Sequence, residues 1–231
     1  IHTVPHQLSS QQVEGLQALG HQVITQLELR RSVIEFKQAE IARQQEASRE
    51  RLVAEIAQRI RQSLKLDEIL STTVSEIWQF LQADRVFIYR FKPDWSGFVV
   101  TESVNSDYLP ILGREIKDSF FEKNCGRQLY QQGRIQATED IYTADLSQCH
   151  IDLLAQLQIR ANLVVPILQE SHLWGLLVVN QCASPRPWQQ SDIKLLSSLA
   201  MQVGIAIMQA TLFEQVQIEL MERKQAEQKI L

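Results

Sequence analysis

The chain has 231 residues, a formal net charge of −4 and a pI near 5.8. That length allows one full domain plus extensions, and the acidic balance argues against nucleic acid or an anionic membrane surface as the main partner. No apolar run approaches the roughly 20 residues that cross a bilayer, no signal-peptide pattern is present, and three cysteines without metal-type spacing suit a reducing, cytoplasmic setting.

In chain order, residues 1–65 read as helix with little that could fold alone. Ser9 and Ser10 can cap a helix beginning near Gln11, and after Gly20 the segment to about Leu66 holds neither glycine nor proline. Ile24, Leu27, Arg31, Ile34, Gln38 and Ile41 step by threes and fours, a leaky heptad seam. So long a helix with so thin an apolar stripe needs a neighbour, so the seam predicts pairing of two copies rather than a solvated surface helix. A second pattern follows at Leu52, Ile56, Ile60 and Leu64.

Residues 66–212 form the expected globular part. A helix from Leu66 carries Val74, Ile77, Trp78 and Leu81 on one side, and Ala83-Asp84 ends it. Arg85–Phe91 alternates as a strand, Pro93-Asp94-Trp95-Ser96-Gly97 is a turn, and Phe98–Val104 completes a hairpin. Residues 107–135 are the least regular, with short helical pieces around Asp118–Tyr130. A polar turn then leads to Cys149-His150, which opens a helical run with Ile151, Leu153, Leu154 and Leu157 on its buried face. Strands at 162–168 and 173–181 follow. Ser191 is expected to cap a last helix that runs past Leu212 into a charged helical segment, 213–231. The order predicts an α+β fold, one antiparallel sheet with helices packed on it.

Several stretches carry a family resemblance: Pro93–Gly97 (PDWSG), Val99–Val104 (VVTESV), Asp140–Ala144 (DIYTA), Cys149-His150, Ile159–Pro166 (IRANLVVP) and Leu173–Trp188. They resemble the GAF domains of cyanobacteriochromes, the bilin-binding photoreceptors related to phytochromes. The first ~50 residues resemble the last helix of a preceding GAF domain and its linker. The segment after Leu212 resembles the helix leading to a further sensor domain or a histidine kinase module.

The resemblance implies a light sensor whose linear tetrapyrrole, usually phycocyanobilin, is joined covalently to Cys149. At the mouth of a helix, free N–H groups and the positive helix end suit a negative sulfur. The resemblance also implies that Asp118 faces the pyrrole N–H groups and that His150 lies against the rings. Phe120, Phe121, Trp95 and Tyr142 become candidate wall residues. Arg134 and Arg160 are candidate partners of the propionates, because a guanidinium fork matches a carboxylate.

Two departures matter. Phe120 stands where many cyanobacteriochromes carry a second, reversibly linked cysteine, so absorption is expected between green and far-red. Cys125 is a weak substitute for that cysteine, and Cys182 a bystander. Asn180 stands where phytochromes have a histidine against the last ring; its amide can bond a carbonyl but cannot gain a proton.

Other readings are a small-molecule GAF domain, for instance for a cyclic nucleotide, a Cys149–His150 nucleophilic enzyme, and a dimerisation segment. Neighbouring helical residues point about 100° apart, which disfavours the catalytic dyad. No kinase motif lies in these residues, so the chain is expected to be a sensory module rather than an enzyme.

Overall fold

The computed structural model describes residues 8–63, 65–117 and 124–228. Asp118, Phe120 and Phe121 lie outside the described residues, as does the side chain of Cys125. The chain divides into two compact units, 1–52 and 53–231.

The first unit is helical, part of α1 (Ser10–Gln62). Ser9 and Gln12 cap it reciprocally: Gln12 N–H donates to Ser9 Oγ at 3.3 Å, and Ser9 N–H donates to Gln12 Oε1 at 2.9 Å. Ile24, Leu27, Ile34 and Ile41 are all exposed.

The second unit reaches back to Val53, because Ile56, Ala57 and Ile60 are buried in its core. Its elements are α2 (Leu66–Leu81), β1 (Arg85–Phe91), β2 (Gly97–Val104), β3 (Glu115–Ile116), α3 (Asn124–Gln131), β4 (Gln136–Thr138), α4 (Gln148–Gln156), β5 (Ala161–Gln169), β6 (His172–Gln181) and α5 (Gln190–Gln228). The strands form one antiparallel sheet in the order β3-β2-β1-β6-β5-β4. The four long strands fall where the β-branched runs predict them. The edge strand β3 lies within the irregular stretch 107–135 and β4 directly after it, both unread in the sequence because two or three residues carry no readable alternation.

Alternation sends side chains to two separate cores. Val86, Ile88, Leu163, Val165, Leu177 and Val179 face α2, α5 and the end of α1. Phe87, Tyr89, Val164, Leu176 and Val178 face the opposite way, toward α4 and the loops. α2 follows from its spacing: Ile69, Leu70, Thr73, Val74, Ile77 and Leu81 form one buried stripe, Asp67 and Glu68 sit in the first turn, and Gln82 ends it at φ 48°.

The cap of α5 is not Ser191. Gln189 takes the cap position, and its N–H donates to Asp192 Oδ2 at 3.2 Å, so the residue three places on supplies the carboxylate. A second correction concerns α5's composition. By length and composition alone Gln190–Gln225 could cross a membrane, although half of its 18-residue apolar window is buried inside the domain. Its apolar count combines a core stripe (Leu195, Leu199, Val203, Ile207) with exposed Met201, Met208 and Leu212.

α5 lies so close to β5 that a Cβ on Gly204 would strike the carbonyl oxygen of Leu168. Gly204→Ala is therefore expected to cost about 1–3 kcal/mol by forcing helix and strand apart, despite alanine's better helix propensity. A urea midpoint equal to or above the parent's would contradict this packing.

Candidate functional site

Between the second face of the sheet and α4 lies a cavity of about 280 Å³. Phe87 and Tyr89 of β1, Val164 of β5, and Leu176 and Val178 of β6 form its floor. Leu153 and Leu154 of α4, with Leu157 at its C-cap, form the opposite wall, with Ile116 and Tyr130 at one side. The polar atoms come from His150, Ser147, Asp145, Arg134, Gln136 and Asn162. The composition is that of a site for a largely apolar, planar ligand held by a few oriented polar groups.

Local sequence fixes α4. Ser147 is its N-cap, with φ −66° and ψ 147°; its carbonyl accepts from the N–H groups of His150 and Ile151, both at 3.0 Å. This puts Cys149 and His150 in the first turn, as the sequence predicts. His150 lines the cavity, while Cys149 is solvent-exposed beside it.

The far end of α4 is held by a group that sequence reasoning did not single out. Arg85 is 0 % exposed. Its two terminal nitrogens donate to the carbonyls of Leu157 and Leu109, at 2.5 and 2.7 Å. Its Nε lies 3.0 Å from Glu102 Oε1, an ion pair without hydrogen-bond alignment. Glu102 Oε2 in turn accepts from the N–H groups of Ile111 and Leu112, at 2.7 and 2.9 Å. One buried pair thus ties β1, β2, the 105–114 loop and the end of α4 together.

The remaining candidates scatter. Arg134 is on the cavity wall and donates to Gln136 Oε1 at 2.6 Å. Arg160 does not line the cavity: it donates to Asp140 Oδ2 at 2.7 Å and its guanidinium lies 4.7 Å from the Tyr142 ring centroid. The Arg160 hydrogen bond, then the Tyr142 N–H, hold the Asp140 carboxyl below its usual range. Tyr142, 55 % exposed, is likewise outside the lining. Trp95 adopts φ 66°, a strained backbone for so bulky a residue, and its ring packs between Phe91 and the Arg127 guanidinium rather than in the cavity wall. Asn180 is buried behind the wall, and Asn162, not singled out from sequence, lines the cavity in front of it. Their strand positions face each other directly, a signal visible only once the β5–β6 register is known.

Cys182 is half-buried, and burial pushes its thiol from 9.0 up to about 11, the Arg85 charge opposing only in part. The sign is that of a raised group: between about pH 9 and 11 the unfolded chain sheds a proton that the folded chain keeps, so stability falls as pH rises through that window. Brief iodoacetamide treatment at neutral pH is expected to alkylate exposed Cys149 and spare Cys182. Peptide mapping that finds Cys182 modified as fast would contradict its burial. Among the described residues no group of three or more His, Cys, Asp or Glu could hold a metal ion.

The GAF domain model matches residues 65–207, well over half of the chain. The chain belongs to the GAF domain family. This GAF domain is 36% identical to the PixJ GAF domain of Thermosynechococcus elongatus, solved in a blue-light absorbing form. That likeness covers 68% of this chain and 93% of the other, with a TM-score of 0.64. It is 31% identical to a protein solved in a far-red absorbing dark state with bound biliverdin IXa, over 69% of this chain and 99% of the other, at a TM-score of 0.66. The circadian input-output histidine kinase CikA of Synechocystis sp. is 34% identical over 196 residues, 74% of this chain and 26% of that protein. The chain spans about a quarter of the length of the curated relatives it matches first.

Proposed function

We propose that this GAF domain is a photosensory module that holds a linear tetrapyrrole, phycocyanobilin or a close relative, in the cavity under α4. The observation that carries the reading is the first turn of α4, where His150 lines the cavity and Cys149 stands exposed beside it. The residues present suit such a group: aromatic and aliphatic walls for a conjugated plane, and Arg134 for a propionate. Ile116 and Tyr130, which flank the segment carrying Asp118, Phe120 and Phe121, both line the cavity, which supports a role for that segment at the ligand.

When bound, a linear tetrapyrrole supplies visible absorption and a light-driven Z/E rotation of the double bond between its last two rings. The chain's residues do the rest. Cys149 would supply the sulfur of a thioether to that group, its thiol proton passing to the group as the S–C bond forms. Asp118 supplies an anion for the pyrrole N–H groups, favouring their protonated state. His150 packs against the rings. The sheet passes changes in its cavity face to α5, which rests on β5 through Gly204. α1 and α5 carry the signal to output segments of a longer, cytoplasmic protein of the histidine kinase type. The exposed stripe Ile24, Leu27, Ile34 and Ile41 pairs two copies in parallel.

The test is coexpression of the chain with bilin-synthesis enzymes, with absorbance recorded before and after illumination. A coloured protein absorbing between green and far-red, and switching reversibly, is expected. A colourless protein would leave a GAF domain for some other small molecule.

A further inference from the structure

Asn162 and Asn180 face each other across β5 and β6, 5 % and 0 % exposed. Asn180 Nδ2 donates to Asn162 Oδ1 at 2.9 Å. Asn180 Oδ1 is buried without a hydrogen-bond partner among the described residues. Asn162 lines the cavity, and no described residue accepts from its Nδ2. Turning both amides over would keep one bond between them but strand the Asn180 NH2 in the core. A buried amide that lacks a partner for its donor is the rarer and costlier case. The pair therefore has a direction: the uncommitted NH2 of Asn162 points at the cavity.

We infer that Asn162 is the amide that binds the ligand, by donating to a neutral carbonyl oxygen, and that Asn180 is a positioning residue that acts only through it. This rests on the tetrapyrrole reading and assigns within it which side chain reads a lactam carbonyl. A neutral amide suits a neutral oxygen; a carboxylate is better served by the fork of Arg134 on the same cavity. It also reassigns the contact expected of Asn180, whose side chain does not reach the lining.

The test uses the chain with Cys149→Ala, so that uptake of phycocyanobilin is a reversible titration, read by absorbance. Asn162→Leu should weaken binding about tenfold, as for one lost buried hydrogen bond. It should also move the lactam carbonyl band in the infrared difference spectrum to higher frequency. Asn180→Leu should weaken binding less. The double replacement Asn162→Leu/Asn180→Leu, which leaves no unpaired amide in the core, should fold and bind no worse than Asn162→Leu alone. Unchanged affinity with an unmoved carbonyl band in Asn162→Leu overturns the inference while the tetrapyrrole reading stands. Additive losses in the double variant overturn the positioning role of Asn180. A parent chain that takes up no bilin, with or without Cys149, overturns both readings together.

Discussion

Replacing Arg85 with methionine is expected to destabilise the domain by about 3–5 kcal/mol, the usual range when one member of a buried ion pair is removed. The magnitude follows from what is left behind. Glu102 would remain as a buried carboxylate without its cation, and the carbonyls of Leu157 and Leu109 would each lose a donor. Surface pairs such as Arg31–Glu35, 2.8 Å apart, contribute at most about 1 kcal/mol, so the two classes separate cleanly in guanidinium unfolding. Removing both partners, Arg85→Met with Glu102→Leu, should cost less than removing Arg85 alone, because no charge is then stranded. An Arg85→Met midpoint within about 1 kcal/mol of the parent would show that the pair does not pin the end of α4.

Cys149→Ala is expected to abolish the covalent linkage altogether. Zinc-induced fluorescence on a denaturing gel reads this directly: the coexpressed parent should give a band and the variant none. Cys149 is exposed and packs in neither core, so the substitution should leave the unfolding midpoint within about 0.5 kcal/mol, as other surface changes do. A fluorescent band that survives in the variant would move the attachment to another cysteine, Cys125 being next in line.

The contrast between these two residues shows where sequence reading succeeds. The place of Cys149 in the first turn of α4 was legible because its signal is local: a polar turn and an amphipathic run lie within ten positions. Arg85 looked like an ordinary first residue of a strand. Its meaning depends on the β1–β2 register, in which Phe87 faces Glu102 and Arg85 becomes a diagonal neighbour on the same side. The Asn162–Asn180 pair is hidden for the same reason, since only the register of β5 and β6 brings the amides together.

The long strands were readable from composition, yet alternation could not say which face held the cavity. Ala161–Ile167 is buried without a break, because helices cover one side of the sheet and α4 with the loops covers the other. Arg160 and Arg134 looked equivalent in sequence. They separate only through neighbours: Asp140, bonded to the N–H of Tyr142, draws Arg160 away, while Arg134 stays on the cavity wall.

The decisive measurement is the intact mass of the chain produced alongside phycocyanobilin synthesis, followed by mapping of the modified peptide. The account predicts a gain of one bilin mass, carried on the peptide containing Cys149. An unmodified polypeptide would contradict it.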